Sequence, residues 1–193
     1  QVRGNIMDIT AAKRSENLLQ ARTALAEAAA SASLHELLLM TLEEAERLTD
    51  SKASFFHFYD EESGMVSLQA WSQGTAGSCR ISEPFTPYPL AEAGCWAEAI
   101  RRRQAVIHNS YPSQPGTRGL PPGHVPLSRE LVVPVLRNER VVAVVGVGNK
   151  EGDYQEEDIA TVSTLAHLAW DIVLRKRAES ELKESERSKA VLL

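Results

Sequence analysis

Apolar residues near the start of the chain recur at alternating spacings of three and four positions, which is the pattern of one face of an α-helix. A polar, alanine-rich helix is predicted over residues 11–32, with a thin apolar stripe made of Leu18, Ala21, Leu25 and Ala28. A second helix is predicted after it, with a buried face made of Leu34, Leu38, Leu42, Ala45 and Leu48. Ser33 and Glu36 have the spacing of a capping box, so we expect the second helix to begin at Ser33.

The middle of the chain consists of short segments rich in aromatic and β-branched residues, which are typical of strands. Residues 53–59 and 65–71 flank a turn-forming stretch and predict a hairpin. Residues 131–136 and 141–147 predict a second hairpin, and residues 105–108 a fifth strand. Because tight turns join these strands, we expect an α+β fold with a mainly antiparallel sheet and helices on at least one face.

Three segments between the hairpins are less regular. Residues 80–82 are a candidate for a short sixth strand. Residues 90–103 predict a helix whose inward positions are Leu90, Ala93, Ala97 and Ile100. Residues 109–128 form a predicted loop with five prolines and three glycines. Loops of this length inside compact domains are usually functional or disordered, and we interpret this one as a lid over a ligand site.

The last predicted element is a long helix. Asp153 and Glu156 have capping-box spacing, and the helical pattern runs from there to about Lys189. At 1.5 Å per residue this helix is roughly 50 Å long, so it must project from the domain. A weak heptad seam consists of Leu165, Leu168, Ile172, Arg175, Glu179 and Leu182. This seam predicts parallel homodimerisation, with a solvated single helix as the alternative.

Composition excludes several classes of protein. The chain is 43% apolar and 24% charged, as in ordinary globular domains, and its net charge of −5 argues against nucleic-acid binding. No apolar run approaches the roughly 20 residues that cross a bilayer, so no direct membrane contact is expected. Cys79 and Cys95 form no CxxC pair, which favours a reducing cytoplasm over a disulfide framework or a cysteine-rich zinc site. No catalytic motif is recognisable, so we expect no enzyme activity and no metal centre.

Two segments resemble known signalling domains. Residues 4–10 read GNIMDIT and resemble the closing strand of a PAS domain at its junction with an exit helix. Residues 93–111 read AGCWAEAIRRRQAVIHNSY, residues 119–135 read GLPPGHVPLSRELVVPV and residues 149–159 read NKEGDYQEEDI. Through these runs, residues 33–173 resemble GAF domains found beside PAS modules in bacterial sensor histidine kinases and diguanylate cyclases. The resemblance implies a PAS remnant over residues 1–10 and a signalling helix over residues 11–32. Residues 174–193 then form a linker helix toward a following output or PAS domain.

The segment NKEGDYQEEDI at residues 149–159 carries part of this resemblance, with Asn149, Lys150, Tyr154 and Asp158 as its motif residues. Lys150 and Asp158 are expected to form an ion pair that ties the last strand to the long helix. The GAF resemblance also implies a pocket between the sheet and its covering segments. The candidate pocket residues are Trp71, Cys79, Tyr88, Cys95, Trp96, His108, Asn109, Tyr111, His124 and Arg129.

Several of these candidates have alternative interpretations. His108 alternates with Val106 along its strand and is expected to be a structural histidine. His124 follows a glycine and is a candidate for ligand contact. Arg129 fits either an anion clamp or a salt bridge to a loop carboxylate.

The resemblance implies a sensory module that binds a small molecule and transmits a signal through dimeric helices, with an unknown cofactor. A ligand-free dimerisation and relay module is the first alternative. A haem or iron sensor using His108 or His124, a methionine-sulfoxide-reductase-like enzyme and a bilin photoreceptor are further ones. A bilin is attached through a cysteine that is commonly followed by a histidine. Neither Cys79 nor Cys95 is followed by one.

Overall fold

The computed structural model describes residues 2–78, 86–111, 123–124 and 126–191, with the backbone alone at residues 2–10, 78 and 190–191. Its helices are α1 (Val2–Ala28), α2 (Leu34–Thr49), α3 (Gln73–Ser78), α4 (Glu98–Arg102) and α5 (Glu156–Val191). Its strands are β1 (Ala53–Asp60), β2 (Met65–Trp71), β3 (Tyr88–Pro89), β4 (Val106–His108), β5 (Glu130–Arg137) and β6 (Arg140–Gly148). Two short 3₁₀ turns, Leu90–Glu92 and Cys95–Ala97, precede α4.

The six strands form one antiparallel sheet in the order β3-β2-β1-β6-β5-β4. Both predicted hairpins are present, because β1 pairs with β2 and β5 pairs with β6 through short turns. The α+β fold with an antiparallel sheet is therefore confirmed. The sixth strand is Tyr88–Pro89 beside β2, whereas residues 80–82 lie outside the described residues.

One face of the sheet, here called the helix face, carries α2 and α5, and α1 packs against these two helices. Phe56, Val133 and Val145 from three adjacent strands are fully buried there. Leu42 of α2 and Leu165 of α5 belong to the same apolar cluster and are also fully buried. α2 and α5 thus form the main core with the sheet, because their apolar stripes pack against the alternating residues of the strands.

The opposite face, here called the site face, is covered by an irregular segment. The helix predicted over residues 90–103 is wrong for its first part, where two 3₁₀ turns precede the short α4. Ala93 and Gly94 have extended backbone angles between these turns, with ψ of 151° and −167°. Glycine has low helix propensity, and this break turns the next residues toward the sheet. Ala99 and Ile100 of α4 then pack on Val132 and Val144.

The start of α2 agrees with its predicted cap, and the start of α5 does not. Ser33 N donates to Glu36 Oε2 at 2.7 Å, and Glu36 N donates to Ser33 Oγ at 3.3 Å. In α5 the predicted cap from Asp153 is wrong, because the helix begins at Glu156 and Asp158 accepts from Gln155 N at 2.9 Å. A carboxylate three residues inside the helix satisfies this free amide, which leaves Asp153 for another partner.

The two long helices differ from their predictions at their outer parts. The strand end predicted within residues 1–10 is wrong here, because α1 is helical from Val2. A helix satisfies its own backbone hydrogen bonds, whereas a strand needs a neighbour. Leu165 and Ile172, two positions of the predicted dimer seam, are buried in the core of the same chain. Among the residues of these helices whose side chains are described, the exposed large apolar ones are Leu19, Leu174 and Leu182. Within the described part of the chain, no helix is long and apolar enough to span a membrane.

Candidate functional site

A buried polar cluster lies at the β4–β5 edge of the site face. His108 ends β4 and Glu130 begins β5, and the antiparallel register pairs them directly. Glu130 Oε2 lies 3.2 Å from His108 Nδ1 and accepts a hydrogen bond from Cys95 Sγ at 3.6 Å. Glu98 Oε2 lies 3.0 Å from His108 Nε2, on the other side of the ring. We call Cys95, His108 and Glu130 the acid cluster.

The acid cluster is buried and charged. His108 and Glu130 are 4% and 1% exposed. Hydrogen bonds from the ring to Cys95 and Glu130 raise the pKa of His108 to about 10, since they favour the protonated imidazole. Burial, together with nearby Cys95 and Glu130, raises the pKa of the Tyr111 hydroxyl. At neutral pH His108 is therefore protonated, and the Tyr111 phenol beside it keeps its proton.

A second cluster lies nearer the middle of the site face and is aromatic. His57 of β1 stacks on Trp96 with 4.6 Å between ring centroids. Phe55 contacts both rings edge-on, at 5.1 Å and 5.6 Å. Tyr88 Oη lies 3.4 Å from His57 Nε2. Burial without an acidic neighbour lowers the pKa of His57 to about 3, so its imidazole is neutral. We call this group the aromatic cluster.

One 3₁₀ turn connects the two clusters. Cys95 contacts Glu130 in the acid cluster, and its neighbour Trp96 stacks on His57 in the aromatic cluster. Four buried side-chain atoms have no hydrogen-bond partner among the described residues, and two of them, Glu130 Oε1 and His57 Nδ1, belong to these two clusters. Unpaired buried polar atoms cost about 1–3 kcal/mol each, so they mark positions where a bound group could supply the missing contact.

A family model for the GAF domain matches residues 31–173. This chain belongs to the GAF domain family. A curated relative is the methyl sulfide methyltransferase-associated sensor of Methanosarcina acetivorans, which is 39% identical over 155 residues. The match covers 80% of this chain and 16% of that protein, so this GAF domain corresponds to a small part of its relative.

Solved structures show the same fold. The GAF domain of a phosphoenolpyruvate-protein phosphotransferase from Coxiella burnetii has a TM-score of 0.69 at 19% identity, over 86% of this chain and 98% of that one. The free methionine-R-sulfoxide reductase from Neisseria meningitidis, solved with its substrate, has a TM-score of 0.66 at 17% identity. That alignment covers 88% of this chain and 93% of the reductase chain. At these identities the likeness concerns the fold of this GAF domain alone.

Four of the ten predicted pocket residues, namely Tyr88, Cys95, Trp96 and His108, belong to the two clusters of the GAF domain. A fifth, Tyr111, lies beside the acid cluster, with its ring centroid 6.4 Å from that of His108. Trp71 ends β2 opposite Phe55 and is partly buried. His124 is partly buried, and Cys79 lies outside the described residues. Most of the predicted lid, residues 112–122 and 125, also lies outside them, so the lid stays a prediction.

The other predicted residues form hydrogen bonds and ion pairs near the start of α5. Asn109 Oδ1 accepts from Tyr154 N at 2.8 Å, and the predicted Lys150–Asp158 ion pair is present at 2.7 Å. Arg129 forms a salt bridge with Asp153 at 3.0 Å, the second of its two predicted roles. Tyr154 is buried, and its hydroxyl lies 2.8 Å from Ser51 Oγ.

Asn149 fixes the chain just before β5. Its Oδ1 accepts from Ser128 N at 2.9 Å, and its Nδ2 donates to Pro126 O at 2.8 Å. Each of the four motif residues thus contacts protein partners, and their structural role stays a prediction.

Sequence reasoning missed Phe55, His57, Glu98 and Glu130. Two of them carried a usable signal: Glu130 is a charge that opens an apolar strand, and His57 interrupts an aromatic one. In both strands the alternation would place these polar residues on a buried face. Only their partners on other elements explain how each is accommodated.

Proposed function

We propose that this GAF domain is a regulatory module that binds a small ligand on its site face and transmits binding through α1, α2 and α5. The carrying observation is the pair of unpartnered buried atoms, Glu130 Oε1 and His57 Nδ1, on either side of the turn Cys95–Ala97. Aromatic walls with a few converging polar groups are typical of small-molecule sites. The name of the curated relative, a sensor, supports the same role.

Contacts between the long helices support the relay. Lys176 Nζ donates to Ala32 O at 2.8 Å, and Arg175 Nη2 donates to Ala29 O at 3.4 Å. These cations lie at the C-terminal end of α1, where the helix dipole favours positive charge. Arg177 lies over the Phe58 ring of β1, 4.9 Å from its centroid. A ligand that shifts β1 would therefore act on α5 directly.

We also propose that the module works as a homodimer and has no catalytic role of its own. The exposed Leu174 and Leu182 on α5, with Leu19 on α1, support an interface along the projecting helices. The PAS remnant at residues 1–10 and an output domain of histidine kinase or diguanylate cyclase type rest on sequence resemblance. In a dimer, helix shifts of about 1–2 Å are enough to change a downstream equilibrium.

Native mass spectrometry of the purified chain, compared with a denatured sample and an absorbance spectrum, tests ligand binding. We expect a mass excess that disappears on denaturation and is lost in Trp96→Leu. Trp170→Leu is the matched control, because Trp170 packs on the helix face. An apo mass together with no thermal shift for a panel of metabolites and divalent metals would refute the proposal.

The relay has its own measurement. Light scattering should give a dimeric mass that Leu182→Glu converts to a monomer, while Glu184→Gln, an exposed change on the same helix, leaves it intact. Ligand that lowers hydrogen exchange in β5 but leaves α5 unchanged would rule out transmission through α5.

A further inference from the structure

We propose that the acid cluster is a mononuclear binding site for a zinc-class divalent metal, with Cys95, His108 and Glu130 as its protein ligands. The metal would itself be the sensed ligand, or would coordinate that ligand, so this inference rests on the proposed sensory function. One donor atom from each residue lies within 4.8 Å of the other two. Thiolate, imidazole and carboxylate are the three ligand types that zinc accepts.

The spacing of the donor atoms fits tetrahedral coordination. Metal bonds of about 2.0 Å to nitrogen and oxygen and about 2.3 Å to sulfur place ligand atoms about 3.3–3.8 Å apart. Glu130 Oε2 lies 3.2 Å from His108 Nδ1 and 3.6 Å from Cys95 Sγ. Two of the three donor pairs therefore already lie near tetrahedral spacing, and a metal would replace the protons that these pairs share.

The surroundings also match those of metal-binding histidines. A ligating imidazole usually donates its second N–H to a carboxylate, which fixes the orientation of the ring. Glu98 Oε2 occupies this place, 3.0 Å from His108 Nε2. Glu98 is itself held by Arg102 in the next turn of α4. Glu98 would thus be a positioning residue that never touches the metal.

The buried carboxylate of Glu130 is a second observation that points to a bound cation, separate from the spacing of the donor atoms. Glu130 is 1% exposed, and its Oε1 has no hydrogen-bond partner among the described residues. A cation coordinated by this carboxylate would compensate both the burial of its charge and the unpaired oxygen. Three protein ligands leave a fourth position open, which is the arrangement of zinc sites that bind water or a further small ligand.

Metal binding by the full chain tests the proposal. After treatment with chelator, the protein is titrated with Co²⁺ as a spectroscopic probe and then with Zn²⁺. We expect one Co²⁺ per chain with a sulfur-to-cobalt charge-transfer band, and displacement of Co²⁺ by one equivalent of Zn²⁺. Cys95→Ser should abolish the band, whereas Cys79→Ser, the matched control, should keep it.

Glu98→Gln provides a second variant that retains all three ligands. It should weaken metal affinity by about 10–100-fold while leaving the circular dichroism spectrum unchanged. Absence of tight binding in the wild type, or a sulfur band that depends on Cys79, would overturn the proposal. A retained organic ligand without metal binding would refute only the metal site. Metal binding without any change in α5 hydrogen exchange would refute only the relay.

Discussion

The two buried histidines of the site face have opposite electrostatic surroundings. His57 lies among aromatic rings, and burial lowers its pKa to about 3. His108 lies between Glu98 and Glu130, beside Cys95, and its pKa is raised to about 10. Both side chains are at most 6% exposed, so exposure does not account for the difference. The charge of a buried imidazole is decided by whether an acid lies within hydrogen-bond reach.

The two clusters therefore offer different kinds of contact to a ligand. The aromatic cluster offers apolar surface and one neutral imidazole, which suits the body of an organic ligand. The acid cluster offers charge and metal-binding donors in a largely buried environment. Cys95 and Trp96 are neighbours in one 3₁₀ turn and belong to different clusters. We therefore expect a structural change in one cluster to alter the packing of the other.

Removing the charge of Glu130 should have the largest effect on stability. Glu130→Gln keeps the shape of the side chain but leaves His108 without its buried counter-charge. Breaking a buried ion pair costs about 3–5 kcal/mol, so we expect a loss of that size in the free energy of unfolding in urea, measured with chelator at pH 7. Glu62→Gln, in the exposed pair with Arg140, should cost less than about 1 kcal/mol. Equal losses in the two variants would contradict the comparison.

Protonation of His57 should produce the next largest effect. Its folded pKa of about 3 is below the unfolded value of about 6.5, so below pH 6.5 the unfolded chain binds a proton that the folded chain does not. The stability from the neutral imidazole is present above pH 6.5 and is lost as the pH falls toward 3. When the pH falls from 6.5 to 4.5, the free energy of unfolding of the wild type should decrease by about 2–3 kcal/mol more than that of His57→Phe.

Urea unfolding at a series of pH values measures this difference. His35→Phe, which removes an exposed histidine, should follow the wild type. A His57→Phe profile parallel to that of the wild type would show that His57 is not buried in its neutral form.

Filling the space beside Phe55 should disturb the aromatic cluster alone. A Cβ at Gly146 would overlap the Phe55 ring, which packs against both His57 and Trp96. Overpacking of this kind costs about 1–3 kcal/mol, so Gly146→Ala should lower the thermal midpoint. Adding Phe55→Leu should restore part of the loss. Gly77→Ala, where no heavy atom lies within 4 Å of the new Cβ, should be neutral or slightly stabilising.

The stack of His57 on Trp96 should give the smallest effect. A double-mutant cycle of His57→Leu and Trp96→Leu at pH 8 should return a coupling free energy of about 0.5–1.5 kcal/mol, which is typical of aromatic pairs. Pairing His57→Leu with Trp170→Leu should give additive losses, since Trp170 lies on the helix face. A cycle without coupling at Trp96 would indicate that the rings only exclude water.

Local patterns predicted much of the fold, and the GAF resemblance supplied about half of the candidate site. The capping box at Ser33 and the hairpin strands were predictable because they depend on neighbouring residues and on strand alternation. The break at Gly94 was missed, since the apolar spacing of residues 90–103 also suits a regular helix. The sequence supplied five of the candidates but did not show which of them lie together in space. They are Tyr88, Cys95, Trp96, His108 and Tyr111.

The sequence by itself determined the two antiparallel hairpins and the long last helix, because these follow from periodicity over a few residues. Only the tertiary structure decided that Glu130 meets His108, and that Cys95 lies between the acid cluster and Trp96. The charge of a buried side chain depends on partners brought together by strand register and by a broken helix. These partners are far apart along the chain, so no local pattern contains them.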